Sequence, residues 1–414
     1  MISNHDTPRH PSHSTILIIS QVFVPDPAAV GQYLADVAGG LVERGFSVKV
    51  LTANRGYDDP SVVYQRRSNI DGIDVQRLGF SSFGKKNLLV RIVAQLSFLL
   101  QSIVLGLFTS SLRSILITTS PPMAGIAALI VGTLRRIPIT YWVMDINPDQ
   151  AIATGKVKPG SAVAWALNRM NRQLLSRASV VITLDDHMAD RLRAKGPVAG
   201  NLTVIPPWPL GTLSQTSQPN KNEFRATHNP DDRFVVMYSG NHSPSHPLTT
   251  VLDAALRLGD RNDLRFLFVG GGLGKREVDE LIENHHPDNI TSLPYQPLEN
   301  LDQVLPTADV HVVTMGDDMV GLVHPSKVYG AMAVGRPILF VGPDSSYISD
   351  LIEEFGIGWR FNQGDVAGIV DFLTELPSNQ GLERMGIRAQ NAIDEHFSRE
   401  DLRRQILDLV TSYL

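Results

Sequence analysis

The chain of 414 residues is longer than one hydrophobic core usually supports, so we expect two domains. With 43% hydrophobic and 19% charged residues, its composition is typical of a globular protein and excludes a disordered one. The net charge of −5 argues against nucleic acid as a partner, and the absence of cysteine excludes disulfides and thiolate chemistry. The lack of cysteine also fits a reducing, cytoplasmic setting.

The first half of the chain predicts an α/β domain preceded by a tail. Residues 1–13 are rich in His, Ser, Pro and Asp and predict a flexible segment, with no basic stretch and apolar run of a secretory signal. An amphipathic pattern covers about residues 32–44 and ends at Gly45. Buried strands are predicted at residues 16–19, 48–51, 114–117, 139–143 and 180–183. This alternation predicts a doubly wound α/β domain over residues 14–210.

Residues 88–108 are strongly apolar, and Lys85, Lys86 and Arg91 flank or enter this segment. Its length approaches a membrane span, but Arg91 and several polar residues interrupt it, and a charge is costly inside lipid. A core helix is the favoured interpretation, ahead of a helix resting its apolar face on a membrane surface and of a spanning helix. We therefore expect the protein in the cytoplasm, with peripheral contact to the inner face of the plasma membrane as an open alternative.

A polar, proline-containing stretch at residues 211–232 interrupts the alternation and predicts the domain linker. The pattern then resumes and predicts a second doubly wound domain over residues 233–390. Its strands are predicted at residues 234–238, 266–269, 310–313 and 338–341. Residues 391–414 predict a C-terminal helix, for which packing back on the first domain is one arrangement. Ligands of such sheets bind outside the carboxyl ends of the strands, which places a site in the cleft between two facing domains.

The segment from His324 to Pro337 combines Ser326 and Lys327 with a small-residue helix and a Gly-Arg-Pro stop. A loop that leads into a helix N-terminus favours anions, because free N–H groups and the helix dipole point there. Lys327 adds a full positive charge at that point. The pattern suits a phosphate or pyrophosphate leaving group, and we assign Ser326 and Lys327 to the site that binds it.

A second anion-friendly loop, Tyr238 to His242, directly follows a predicted strand. Gly240 allows the backbone to approach a ligand closely, and Asn241 supplies a short hydrogen-bonding side chain. A plain tight turn is the alternative interpretation. We favour a phosphate-facing loop because the loop at Lys327 carries matching chemistry.

The loop after the strand at 266–269 is rich in glycine and includes Gly270, Gly272 and Lys275. It is similar to the dinucleotide fingerprint, but Lys275 stands where the third glycine should be. Two interpretations stay open: a plain strand-to-helix turn, and a glycine-permitted loop that carries cations near a diphosphate. A site for a hydride-transfer cofactor is the least favoured.

Two carboxylates, Asp145 and Asp149, follow a predicted strand of the first domain, and Pro148 constrains the loop between them. A carboxylate at a strand end can orient an acceptor hydroxyl or act as a base, whereas a helix N-cap is the structural alternative. The spacing of His, Asp and Glu along the chain indicates no metal site.

Together these residues resemble family-4 glycosyltransferases of the GT-B architecture, in which two Rossmann-like domains face each other. The resemblance covers nearly the whole chain and rests on the order and spacing of its pieces. They are the opening strand and Pro/Gly loop to Gly31, residues 141–149, 204–206, 238–241 and 268–272, and the helix from Pro325 to Pro337. The Pro-Ser-Lys and Gly-Arg-Pro pair is similar to that of bacterial enzymes that build exopolysaccharide, capsule or lipopolysaccharide O-antigen.

The resemblance implies a retaining, metal-independent hexosyltransferase without a cofactor. It implies transfer from a UDP- or GDP-linked sugar to a lipid-linked or glycan acceptor, with the departing phosphate oxygen helping to deprotonate the acceptor. By this analogy Lys327 and the Gly240–Asn241 turn meet the diphosphate, and the loop ending at Tyr295 lies against the base. Gly31 closes over the reacting centre and Asp145 faces the acceptor. Protein cations stabilise the leaving charge.

The chain departs from the family pattern in the donor half. The family's two glutamates, with seven residues between them, are replaced by Leu322 and Gly330. The Arg and Lys that usually follow Gly240 are replaced by Asn241 and the region of His246. These departures keep two alternatives open: a sugar-nucleotide epimerase, and a non-catalytic protein that binds sugar nucleotides and supports another transferase.

Overall fold

The computed structural model describes residues 14–56, 59–80, 88–198, 201–211 and 222–414. Several predicted features fall outside the described residues: the tail at 1–13, Lys85, Lys86, residues 212–221 of the linker, and the side chains of residues 88–92, Arg91 among them. The described chain forms two α/β domains, each built around one twisted sheet.

In the described residues, the first domain contains a sheet of eight strands: β1 (Thr15–Ile19), β2 (Ser47–Ala53), β3 (Arg67–Ile70), β4 (Ile73–Leu78), β5 (Leu112–Thr118), β6 (Ile139–Trp142), β7 (Val180–Thr183) and β8 (Asn201–Val204). Their order is β3-β4-β2-β1-β5-β6-β7-β8, and neighbours are parallel except for the antiparallel pair β3 and β4. The central strands are apolar on both faces because helices cover both sides of the sheet.

The helices of the first domain connect these strands: α1 (Ala29–Glu43), α2 (Leu88–Leu107), α3 (Ala124–Arg135), α4 (Asp149–Ala153), α5 (Ala162–Arg177) and α6 (Asp186–Lys195). The apolar segment singled out in the sequence forms α2. Its inner face packs on α3, where Gly106 lies so close to Val131 that a Cβ would meet it at 2.9 Å. Among the residues that the structure describes, no helix is long and apolar enough to cross a membrane.

The second domain contains six parallel strands in the part of the chain that is described: β9 (Phe234–Ser239), β10 (Leu264–Val269), β11 (Ile290–Leu293), β12 (Val310–Thr314), β13 (Ile338–Val341) and β14 (Gly358–Phe361). They are ordered β11-β10-β9-β12-β13-β14. Its helices are α7 (Glu223–His228), α8 (Thr249–Arg257), α9 (Lys275–His285), α10 (Leu301–Val304), α11 (Lys327–Ala333), α12 (Tyr347–Phe355), α13 (Val366–Glu375) and α14 (Leu382–His396).

The last helix, α15 (Arg399–Thr411), returns to the first domain and packs on α1. Its Arg399 bonds to the buried carboxylate of Asp36 on α1, with Nη2 2.7 Å from Oδ1. Asp36 also accepts a hydrogen bond from the indole N–H of Trp208, which lies where the chain leaves the first domain. Both segments in which the chain passes from one domain to the other, at Trp208 and before α15, are therefore anchored to α1. The boundary that the sequence suggested between 390 and 391 falls inside α14, and the crossing lies after its end.

Every strand predicted from an apolar run is present, whereas β3, β4, β8, β11 and β14 were not predicted. The edge strands β3 and β14 are polar or half-exposed along their length, so they lack an apolar run. Residues 223–228 of the predicted linker form α7, which belongs to the second domain. Its Arg225 donates to Thr307 O at 2.7 Å and pairs with Asp309 at 3.2 Å.

Candidate functional site

The loops that follow β9 and β10 meet at the carboxyl edge of the second sheet. Gly240 and Gly270 both adopt positive φ angles, 130° and 134°, that favour glycine. Their backbones touch, which leaves no room for a Cβ at Gly270, and the side chain of Asn241 likewise excludes a Cβ at Gly272. The structure thus brings together the four residues that the sequence assigned to an anion site here.

Lys327 enters this edge from α11. Its ammonium lies 3.6 Å from the centre of the Tyr238 ring, and its side chain borders Gly240. Nζ is buried and makes no hydrogen bond within the described residues. Burial lowers the pKa of Lys327 well below its ordinary value of 10.5, because no nearby negative charge compensates the desolvated cation. A buried ammonium without a partner is costly, so the site favours an anionic ligand.

Two histidines complete the surroundings of Lys327, and the sequence did not identify either as a ligand. His242 is buried beside the Tyr238 ring, and burial, followed by the charges of Lys327 and Lys275, lowers its pKa to about 4. His246 bonds through Nδ1 to Thr314 O at 2.7 Å, and burial and Lys327 lower its pKa to about 3. Neither histidine belongs to a recognisable motif, so only the fold of the β9 loop reveals them.

Lys275 and Tyr295 lie on the far side of the Gly270–Gly272 turn. The ammonium of Lys275 donates to Ser292 Oγ at 2.7 Å and to Leu293 O at 2.8 Å, so it binds the end of β11 and not the position beside Lys327. The ring of Tyr295 covers Gly271, and its hydroxyl donates to Gly271 O at 3.2 Å. These contacts build a wall next to the anion site.

Gly31 does not lie in a loop, as the sequence suggested, but in the first turn of α1. A Cβ at Gly31 would lie 3.1 Å from the backbone of Phe23, so glycine is needed there to let the loop after β1 cross the helix.

Ser326 begins α11 without capping it. Its side chain approaches the hydroxyl of Tyr33 on α1 closely enough to act on the pKa of that tyrosine. The start of α11 therefore faces the first domain.

Asp145 lies in the loop after β6, at the junction of the two domains. Its backbone N–H donates to Thr119 Oγ1 at 3.1 Å, and the next residue, Ile146, donates to Leu322 O of the second domain at 2.9 Å. Burial raises the pKa of Asp145 to about 6, against the opposing charge of Lys156. A carboxyl with a pKa near neutrality can hold or release a proton at working pH.

One departure from the resembling family, Leu322, lies in a loop that contacts the first domain. Gly321 packs against the backbone of His187, and Arg191 donates to Val320 O at 3.2 Å, so this loop is bound to the first domain. Leu322 is buried, and its carbonyl is used by Ile146. The position where the family has its first glutamate is here part of the domain contact. At the second position, Gly330, a Cβ would meet Leu305 at 3.1 Å.

A second polar cluster joins the domains just before α11. His324 Nδ1 lies 2.7 Å from Asp185 Oδ2, both side chains are buried, and Asp185 also caps α6 through the N–H of Met188. His324 Nε2 lies 3.0 Å from the hydroxyl of Tyr329, which donates to the hydroxyl of Tyr347 at 3.0 Å. Every polar side-chain atom of His324 therefore has a partner. Within the described residues, no group of three or more acidic or histidine side chains is arranged to hold a metal ion.

Two family models match the chain: a glycosyl transferase 4-like domain over residues 28–208 and the glycosyl transferases group 1 model over residues 219–392. The probable glycosyltransferase WbjE of Pseudomonas aeruginosa is 24% identical over 403 residues, which cover 92% of this chain and 94% of that protein. The putative colanic acid biosynthesis glycosyl transferase WcaI of Escherichia coli strain K12 is 24% identical over 360 residues, covering 82% and 86%.

The fold is shared with solved structures. Anabaena HepE in complex with UDP and glucose has a TM-score of 0.74 at 18% identity, over 97% of this chain and 100% of that one. WaaG, a glycosyltransferase involved in lipopolysaccharide biosynthesis, has a TM-score of 0.70 at 13% identity, over 96% and 99%. The predicted GT-B architecture of two facing Rossmann-like domains is confirmed.

Proposed function

The chain belongs to the family-4 glycosyltransferases of GT-B fold, and from that premise we propose that it transfers a sugar, with retention, from a nucleotide-diphosphate sugar in cell-surface polysaccharide biosynthesis. The acceptor that we propose is lipid-linked or a growing glycan. The observation that carries the proposal is the buried, unpartnered ammonium of Lys327 between the glycine loops after β9 and β10. A diphosphate supplies the charge that this position lacks.

The reaction that we propose forms a bond between the acceptor oxygen and the anomeric carbon and breaks the bond from that carbon to the β-phosphate. The acceptor proton passes to the departing phosphate oxygen, which leaves a nucleoside diphosphate. Lys327 stabilises the charge that develops on the leaving group, independently of a metal ion. Asp145 lies in the first domain at its junction with the second, and we propose that it orients the acceptor hydroxyl.

The loop from Leu293 to Tyr295 is our candidate for the base, because Tyr295 extends the wall of the anion site beyond the Gly270–Gly272 turn. Uridine and guanosine are the two bases that we propose to test. The complex of HepE with UDP supports trying uridine first, since that protein shares the fold.

The outer face of α2 supports a membrane-bound acceptor. Its exposed apolar side chains recur every three or four residues, at Val93, Leu96, Leu100, Val104 and Phe108. Exposed Phe80 extends this stripe, because Gln101 of α2 bonds to the neighbouring Gly79 O at 2.7 Å.

Arg135 donates to Leu107 O at 2.5 Å and places a cation at the C-terminal end of α2. Arg66 lies beside Gly79, near the other edge of the apolar stripe. An apolar helix face bordered by cations fits the surface of an anionic bilayer. We propose that the first domain rests on such a surface through the stripe.

The activity is tested by incubating the purified protein with UDP- and GDP-sugars and a polyprenyl-diphosphate-linked acceptor. We expect a glycosylated product whose anomeric configuration, read by NMR, equals that of the donor. Lys327→Met should abolish it, and Arg276→Met serves as control, because Arg276 is exposed and pairs with Glu280 at 2.6 Å. An epimerised donor formed without acceptor, or no turnover of any donor, would contradict the proposal.

The membrane contact is tested by flotation with phosphatidylglycerol vesicles. We expect the protein to float with them, and Leu96→Gln combined with Leu100→Gln to weaken binding at least tenfold, because two apolar side chains leave the bilayer surface. Ile387→Gln is the control, since Ile387 is equally exposed but lies on α14 of the second domain. Unchanged flotation of the double variant would rule out the stripe as the membrane contact.

A further inference from the structure

The anion site consists of basic groups without counter-charge, and this inference rests on the proposed donor function. We propose that Lys327, His242 and His246 bind the donor diphosphate together and that the site takes up protons from water as the diphosphate enters. The site would thus gain part of its positive charge only on binding. Affinity for the donor and for the released nucleotide would then depend on pH.

The hydrogen bonds of the two imidazoles identify the atoms that gain protons. Nδ1 of His242 lies 3.1 Å from Gly240 O, and Nδ1 of His246 lies 2.7 Å from Thr314 O. A carbonyl oxygen only accepts, so each Nδ1 carries a hydrogen, and Nε2 is the unprotonated atom of the neutral ring that the lowered pKa values favour. Nε2 of His242 is buried and has no partner in the described residues. Each imidazole is therefore neutral and has a nitrogen available for a proton.

Other buried polar atoms around His246 are also unsatisfied. The hydroxyls of Ser245 and Thr314 are buried and make no hydrogen bond within the residues that the structure describes. Both border His246, one as its chain neighbour and the other through the carbonyl that binds Nδ1. Native proteins rarely leave such atoms unpaired, so unsatisfied hydroxyls on two residues that border His246 indicate space for a polar ligand.

The charged and titratable groups that face the site come from three elements. The β9 loop contributes Tyr238, whose hydroxyl donates to Asn241 O, together with the two histidines. Helix α9 contributes Lys275, whose positive charge lowers the pKa of His242. The carboxylate of Asp279, also on α9, raises the pKa of Lys275 and of no other group named here. Helix α11 contributes Lys327. The end of β12 contributes only the neutral Thr314.

No carboxylate is among the charges that act on Lys327, His242 or His246. Burial comes first among the causes that lower the pKa of each, and the mutual repulsion of the cations adds to it for the histidines. A diphosphate reverses the balance, because a nearby negative charge raises the pKa of a basic group. The bound site consequently holds more protons than the empty one, and binding must weaken as pH rises.

The test is calorimetry of UDP and GDP binding between pH 7.5 and 9, where the diphosphate is already fully ionised. At each pH the titration is repeated in buffers of different ionisation enthalpy. We expect the observed enthalpy to change with the buffer in the direction of proton uptake. We also expect Kd to rise by about tenfold per pH unit for each proton taken up.

Variants separate the contributions of the groups. Lys327→Met should weaken nucleotide binding at least 100-fold, whereas His242→Asn with His246→Asn should retain measurable binding with a smaller proton uptake. Asn keeps an N–H donor for the carbonyls that the histidines now bind. Arg276→Met, which removes an exposed charge, should reproduce the wild-type titrations.

Each outcome bears on a different claim. Nucleotide binding with no buffer dependence and a constant Kd would overturn the proton uptake and leave the donor site in place. Equal proton uptake by the wild type and the double histidine variant would overturn the assignment of the histidines. A folded protein that binds neither nucleotide would overturn the proposed function, and this inference with it.

Discussion

Two buried basic side chains at the start of α11, His324 and Lys327, are three residues apart and have opposite surroundings. Both nitrogens of His324 have partners, Asp185 from the other domain and Tyr329. The ammonium of Lys327 lies over the Tyr238 ring and makes no hydrogen bond with any residue that the structure describes. Because unsatisfied buried polar atoms are costly, the first arrangement is explained by the stability of the fold, and the second requires a ligand. Substitutions at the two clusters should therefore affect different properties.

The largest effect is expected for Lys327→Met in the transfer assay. Losing the cation that stabilises the leaving group should reduce turnover by about 100-fold or more. The same change should raise the unfolding free energy of the ligand-free protein at pH 7. Burial lowers the pKa of Lys327, so the folded wild type binds the proton of this lysine less tightly than the unfolded chain does, and the protonated lysine destabilises the fold. The gain in unfolding free energy should shrink as pH approaches 10.5. Urea titrations at pH 7 and pH 10 would measure it, and a less stable variant at pH 7 would contradict this account.

Asp185→Ala should have the opposite signature, a large loss of stability. It leaves His324 without its buried partner and removes the cap of α6, which together cost about 3 kcal/mol of unfolding free energy. Denaturant unfolding followed by circular dichroism would measure the loss. Asp186→Ala is the matched control, since Asp186 is exposed in the first turn of α6 and should cost about 0.5 kcal/mol. Equal losses in the two variants would refute the role of the domain contact.

Asp145→Asn extends the comparison to the carboxylates of the first domain. A pKa raised to about 6 means that the folded state binds the proton more tightly than the unfolded state, so wild-type stability falls as pH rises from about 4 to about 6. The uncharged variant should therefore be more stable by about 3 kcal/mol above pH 6 and equal to the wild type below pH 4. Thermal unfolding across this range would detect the difference. A gain that does not change with pH would exclude titration of Asp145 as its cause.

The smallest effect is expected for Tyr347→Phe, at the end of the satisfied cluster. The change removes the acceptor of the Tyr329 hydroxyl and should cost about 1 kcal/mol of unfolding free energy. Nucleotide affinity should stay unchanged, because Tyr347 belongs to the domain contact and not to the anion site. Tyr413→Phe, at an exposed position of the C-terminus, controls for loss of a hydroxyl alone. Weaker UDP binding by Tyr347→Phe would show that the two clusters are coupled.

The sequence placed the glycine loops after β9 and β10 correctly because this information is local, whereas their binding of an anion stays a prediction. A glycine directly after an apolar run, as at Gly240 and Gly270, indicates both the strand end and the close backbone approach. The placement of Gly31 in a loop, which came from the family resemblance, was wrong, because Gly31 lies in the first turn of α1 against the backbone of Phe23. Sequence reasoning also missed β3, which is mostly polar, and β14, in which Arg360 separates Trp359 from Phe361, so neither strand has an apolar run.

Contacts between distant residues could not be predicted from the sequence. His324 and Asp185 are separated by 139 positions and meet only because the two domains face each other. His242 and His246 gain their significance from the position of Lys327 on another element, which no spacing within their own loop encodes. Leu322 stands where the family has a glutamate, and the hydrogen bond from Ile146 of the other domain to its backbone carbonyl is not encoded in its residue type. Tertiary arrangement, and not residue type, decides the role of each.

The anchoring of α15 to Asp36 has a consequence for biosynthesis on the ribosome. Leu402, Ile406 and Leu407 of α15 belong to the apolar core that includes α1, although they follow the whole of the second domain along the chain. The first domain therefore cannot complete its packing until translation has passed the whole of the second. The order of synthesis and the order of folding are consequently different, and a nascent chain halted after α14 would expose the apolar surface of the first domain that α15 later covers.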